Sequence, residues 1–175
     1  MKTSTLSDQR SLLLRLVDEG FDKTAWHGPN LRSSLRQVPV EQAVWRSQPG
    51  RHCIAEIVVH CAYWKYAVRR RIRGDKRGTF PLKGSNWFTL PARLSHREWR
   101  EYLALLDAEH ASLRKAIAAS PAPRLFNRSG GEYIPAPHVH GVAMHDIYHT
   151  GQIRMIKVLY KHLHRQGGKA RKASR

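Results

Sequence analysis

Acidic residues are scarce in this chain of 175 residues: 13 Asp and Glu stand against 31 Lys and Arg, a formal charge of +18. Such an imbalance creates a positive field over much of the surface and makes anionic partners plausible. Clusters of cations occur at Arg69 to Arg77 and at Arg165 to Arg175, and the remainder are dispersed. That composition supports non-specific contact with nucleic-acid phosphates, but none of the common recognition motifs accompanies it.

Cysteine is almost absent. The two that occur, Cys53 and Cys61, fall in one helix-like stretch, about 12 Å apart by helical rise and beyond disulfide reach. Both read as reduced thiols, which fits a cytoplasmic protein. Long apolar runs are also missing, so no segment is expected to span a membrane. The polar Met1 to Gln9 stretch does not lead into an apolar run, and no export signal is expected. A Ser-His-Asp order, a glycine-rich phosphate loop and a CxxC pair are all lacking, which argues against the chemistries they serve.

What is present is helical periodicity. Leu12, Leu13, Leu16 and Val17 recur at helical spacing between Leu6 and Phe21, with Ser7 and Asp8 as candidate caps. Gly28 and Pro29 interrupt the pattern before Leu31 to Val38 resumes it, leaving a kink and two short helices as alternatives. Val40 to Arg51 reads as a connection with a turn of helix around Glu41 to Trp45. A long helix is predicted from Ile54 to about Arg73, its stripe made of Ile54, Ile57, Val58, Cys61, Trp64, Val68 and Ile72.

Gly74 to Leu94 has no sustained period and reads as a long connection, a type of loop that is often functional. Ser95 and Glu98 make an S-x-x-E capping box ahead of Trp99, Tyr102, Leu103, Leu106, Leu113 and Ile117, a third helix ending near Ser120. Pro121 and Pro123 stop it, and the segment to Gly141 reads as a second long loop. A fourth helix is expected from about Val142 to His164, with His145, Tyr148, His149, Gln152, Ile153, Ile156, Leu159, Tyr160 and Leu163 on its buried face. Together these predict one all-α domain, a four-helix bundle over residues 1–165, followed by a basic, disordered tail over 166–175.

His145 and His149 are four residues apart, so both imidazoles lie on one helix face and can converge on one ion. His60, at the edge of its helix's apolar stripe, is the candidate third ligand. Three imidazoles buried without partners would cost roughly 1–3 kcal/mol for each unsatisfied polar group. A shared divalent metal removes that cost; zinc, nickel or iron suits three neutral imidazoles and keeps a coordination position open. On spacing alone, in a chain with 11 histidines, a surface or hydrogen-bonded core pair remains the alternative. Tyr148 and Gln152 would stand just outside the ligands. His27, at the break after the first helix, could aim into the bundle mouth. His110, between Leu106 and Leu113 on an apolar stripe, could face the site but reads more readily as a hydrogen-bonded core residue. His138 and His140 read as loop positions, and His96, His162 and His164 as surface ones. Cys61 directly follows His60 and so faces elsewhere, as a buried thiol.

The stretch His145-Asp146-Ile147-Tyr148-His149-Thr150-Gly151-Gln152-Ile153 resembles the H-x-x-x-H-x-G-Q-I signature of DinB/YfiT-like proteins. Val59-His60-Cys61-Ala62-Tyr63-Trp64 resembles their second-helix histidine motif, and Glu41 to Arg46 with Pro49-Gly50 resembles the linker into it. The likeness runs from the first helix to about Leu163. It implies a bundle in which His60, His145 and His149 hold the metal and Gly151 is a small position letting helices approach closely. It also implies kinship with transferases and isomerases that use bacillithiol, mycothiol or glutathione. The expected function is therefore metal-dependent transfer of a low-molecular-weight thiol to a small electrophile, or hydrolysis of a small molecule; no general base is identifiable. The alternative is a non-catalytic stress-response or nucleic-acid-binding protein whose metal is structural or absent. Family members often dimerise through bundle faces, and Trp45, Trp87 and Phe88, if exposed, would suit a homodimer interface or a lidded pocket.

Overall fold

A computed structural model describes residues 2–126 and 135–173. Among these the regular structure is helical: α1 (Lys2–Phe21), α2 (Leu31–Ser34), α3 (Val40–Val44), α4 (Ile54–Arg73), α5 (His96–Ala119), α6 (Ala122–Phe126) and α7 (Pro135–Ala173). The only β-type pairing among the described residues is an isolated bridge between Ser85 and Trp87. Four long helices pack as a closed ring, with α1 against α5 and α7, and α4 against the same two. None of the helices is long and apolar enough to cross a membrane.

Local chemistry explains the best-defined ends. Ser95 Oγ accepts the Glu98 N–H at 3.1 Å while the Glu98 carboxylate accepts the Ser95 N–H at 2.7 Å, so the expected capping box starts α5. Glu56 likewise accepts the Cys53 N–H at 3.2 Å at the start of α4. Gly74 ends α4 with φ of 77°, a left-handed conformation that a residue without Cβ adopts at little cost. Of the two alternatives after α1, separate elements are found: Asn30 caps the short α2 by accepting the Ser33 N–H at 2.9 Å.

Two helix starts differ from expectation. α1 begins at Lys2, so Ser7 and Asp8 lie within it rather than capping it. α7 begins at Pro135, not near Val142, and continues past His164 to Ala173. Pro135 and Pro137 fall in its first turn, where a backbone N–H has no intrahelical acceptor and proline's fixed φ suits the helix. The anticipated second loop also contains α6; its part over 127–134 lies outside the described residues.

The core consists of two apolar clusters, one holding Phe21, Ile54, Ile57, Val58, Cys61, Trp99, Leu106 and Ile153, the other Leu13, Val17, Val68, Ile72, Leu113, Ile117 and Val142. Along all four long helices a polar residue falls between them: Asp18 on α1, Lys65 on α4, His110 on α5 and Asp146 on α7. Lys65 and Asp146 form an ion pair with no exposure of either side chain. The candidate ligands lie beside this polar layer.

Candidate metal centre

Packing of α4 against α7 brings His60 to His145 and His149. His60 Nε2 is 2.9 Å from His145 Nε2, and His145 Nε2 is 3.0 Å from His149 Nε2. His60 and His149 are buried and His145 is half-buried.

The opposite ring nitrogens are held. His60 Nδ1 donates to the Asn86 carbonyl oxygen at 2.8 Å, and His149 Nδ1 donates to Gln152 Oε1 at 2.7 Å. The Gln152 amide is oriented by its own donation to the Tyr148 hydroxyl at 2.9 Å. Because an amide oxygen only accepts, both protons reside on Nδ1 and lone pairs remain on Nε2. His145 Nε2 therefore faces two lone pairs with at most one proton of its own. Additional protons are disfavoured: burial, reinforced by neighbouring imidazoles, pushes His145 down to about 3 and His149 to about 4. Burial lowers His60 as well. A cation shared by the three Nε2 atoms resolves the repulsion, so these residues fit a divalent metal and could hold one.

Residues 74–94 cover this cluster. Asn86, at φ of 62°, takes a left-handed conformation that asparagine tolerates better than most residues. Its carbonyl meets His60 and its Oδ1 accepts the Trp64 indole N–H at 3.0 Å. Trp87 lies between two histidines, its ring 3.6 Å from His52 and 3.8 Å from His60, with planes within 4° and 6° of parallel. His52 contacts Glu56 at 3.2 Å, and Arg46 grips that carboxylate with bonds of 2.7 and 2.6 Å. The anchored stack fixes one face of the His60 ring. A cavity of about 390 Å³ opens beside it, with His149, Gln152, Tyr148, Trp87, His52 and Arg51 among its walls.

Other expectations fare differently. His27 is exposed and outside the cluster. His110 is buried but turned away from it, stacked on Phe21 at 3.8 Å with Nε2 3.7 Å from Asp18. His138 and His140 are exposed positions within α7 rather than in a loop. Tyr148 is 63% exposed instead of buried. Gly151 makes no close approach, since a Cβ there would meet nothing within 4 Å; the helices crowd at Gly20, where a Cβ would come 2.9 Å from the Ala143 carbonyl oxygen. Phe88 is buried rather than exposed, and Trp87 is occupied by its stack. Cys61, His145 and Asp146 also offer ligand-type atoms within 4.8 Å of one another. Burial raises the Cys61 thiol well above its ordinary value.

Sequence reasoning missed Asn86 and His52 and offered Trp87 only for an interface or a pocket lid, because a backbone carbonyl and ring stacking leave no periodic trace. Lys65 and Asp146 did leave one: Lys65 is four residues after Cys61 and three before Val68, and Asp146 is four after Val142.

No curated protein and no solved structure matches the chain. A family model described as the DinB superfamily matches residues 23–153, a span that includes all three histidines and the residues that orient them. Since that match covers well over half of the sequence, the chain belongs to the DinB superfamily.

Proposed function

We propose that the protein is a metal-dependent enzyme that transfers a low-molecular-weight thiol to a small electrophile, with His60, His145 and His149 as the ligands. The observation carrying this reading is the convergence of three Nε2 atoms in steps of 2.9 and 3.0 Å with at most one proton among them, a conflict that a cation relieves. Zinc, nickel or iron would suit the imidazole set. A divalent ion supplies Lewis acidity and lowers the pKa of a thiol or water beside it.

The remaining chemistry falls to the chain. The Asn86 carbonyl and Gln152 fix the tautomers of His60 and His149, so those two ligands need no proton movement before use. Arg51 and His52, in the wall of the 390 Å³ cavity, suit a carboxylate on a thiol or electrophile. The Tyr148 hydroxyl accepts from Gln152, which leaves its own proton to donate toward a reactant. Trp87, Met155 and Ile156 give that cavity an apolar flank for the body of a reactant.

The first test is elemental analysis of untagged protein, wild type against His149→Ala. Near-stoichiometric zinc, nickel or iron that falls sharply in the variant supports the reading and justifies assays of thiol consumption. Wild-type protein that takes up none of these ions after dialysis against each would sink it.

A further inference from the structure

Residues between Tyr63 and Ser85, Trp64 among them, line a second cavity of about 480 Å³. Its cationic walls come from Arg70 and Arg71 near the end of α4 and from Arg77 and Lys83 on the following loop; among the described residues no Asp or Glu lines it. The nearby carboxylates are engaged elsewhere. Asp75 pairs with Arg69 at 3.7 Å and Arg73 at 3.1 Å, and Glu109 pairs with Arg69 at 3.1 Å; neither arginine lines the cavity. Arg70, Arg77 and Lys83 thus share one cavity with no carboxylate among its described walls, an arrangement whose self-repulsion an anionic ligand relieves.

The apolar walls are rigid. Phe80 packs against Tyr63, Tyr66 and Phe88 at ring distances of 5.4, 5.4 and 5.3 Å. The Tyr66 hydroxyl accepts from the Thr79 N–H and Oγ1, each at 3.2 Å, pinning the loop to α4. Arg70 donates to the Asp75 carbonyl at 3.0 Å, which holds its guanidinium at the rim. The volume is that of a small-molecule site, and the cations face a common space instead of forming the extended stripe that tracks a nucleic-acid backbone.

We propose that this cavity binds a phosphorylated small molecule with an apolar or aromatic body, its phosphate against Arg70, Arg77 and Lys83 and its body against Tyr63, Tyr66 and Phe80. The site contains none of the three histidines, so it stands apart from the metal reading. With no glycine-rich loop present, the guanidinium and ammonium groups take the anion-holding role that backbone N–H groups fill in phosphate loops.

Phenyl phosphate, inorganic phosphate and phenol, titrated calorimetrically into the full chain at low ionic strength, test this. Phenyl phosphate should bind one to one and more tightly than either fragment. The paired change Arg77→Ala with Lys83→Ala should weaken it at least about tenfold, since two charge-assisted bonds are lost. Removing the same charge from α5, by Arg100→Gln with Lys115→Gln, should leave the affinity within about twofold. His149→Ala should also leave it intact, which separates failure here from failure of the metal site. Equal losses in both charge variants, or no saturable binding of phenyl phosphate, would overturn the proposal. So would a single-stranded oligonucleotide that displaces phenyl phosphate, binds more tightly than it and loses affinity in the Arg77→Ala with Lys83→Ala variant, which would assign these cations to a nucleic-acid surface.

Discussion

Lys65 on α4 and Asp146 on α7 are joined as an ion pair with no solvent exposure, across the same helix interface that brings His60 to His145 and His149. Asp146 Oδ1 has no hydrogen-bond partner, and the Lys65 ammonium lies 5.0 Å from the Phe21 ring. Taking two charges out of water is expensive, and their attraction repays it only while both are present. The pair therefore penalises any sliding of α4 against α7 that would separate the charges, and such sliding would also disperse the imidazoles. It stabilises one register more than it stabilises the fold.

Removing one partner should be much worse than removing both. Lys65→Met or Asp146→Leu alone leaves a buried charge and is expected to cost roughly 3–5 kcal/mol. The double variant should recover most of that loss in urea unfolding of metal-free protein. Additive losses in the double variant would show that the two charges do not act as a pair.

Gln152→Ala removes the acceptor that holds His149 Nδ1–H while leaving the apolar core untouched. Loss of such a partner behind a ligating imidazole typically lowers metal affinity about 10–100-fold. Competition against a chromophoric chelator measures it, with circular dichroism showing an unchanged fold. An unchanged affinity would mean that the His149 ring is held by packing instead.

The same residues show how far the sequence could be read. Ser95 and Glu98 mark the start of α5 because a capping box is a local hydrogen-bond arrangement written in adjacent residue types. The bounds of α4 follow from its apolar stripe and from Gly74. His145 and His149 were placed together by helical spacing, but only the tertiary packing of α4 on α7 brings His60 to them. The Asn86 carbonyl is out of reach of such reading, since every residue carries one and only the fold decides which is aimed. Pro135 and Pro137 misled because proline breaks a helix interior yet suits its first turn. Gly151, given a close-packing role by family resemblance, is exposed, and Gly20 occupies the tight approach instead.

That exchange gives opposite expectations for two alanine substitutions. Gly20→Ala places a Cβ 2.9 Å from the Ala143 backbone oxygen, so α1 and α7 must separate. Overpacking of this kind costs about 1–3 kcal/mol, enough to outweigh the helix-propensity gain of about 1 kcal/mol. Gly151→Ala meets open space and should raise the melting temperature. Equal shifts of the same sign would contradict the packing.

The pH dependence of the metal-free protein has a sign set by its histidines. Burial, followed by the charges of Lys65, Arg114 and Lys23, pushes His110 down to about 3. Asp18 lies 3.7 Å away but is already engaged by Arg114 at 2.9 and 3.0 Å, so it does little to restore the proton affinity. With His145 near 3 and His149 near 4, three rings stay neutral in the folded state while the unfolded chain protonates them around 6.5. The unfolded state then binds more protons, and stability falls as pH drops from about 6.5 toward 4. Asp146 works the other way: burial raises it to about 6 against the pull of Lys65, so in its window the folded state holds the extra proton. Three groups against one leave a net loss on acidification. His110→Gln, which removes a titrating ring outside the metal cluster, should flatten the dependence by one proton, about 1.4 kcal/mol per pH unit between pH 4 and 6. Urea unfolding of wild type and variant across that interval measures the difference. Parallel lines would mean that His110 takes up its proton in the folded state, through Asp18, before the bundle opens.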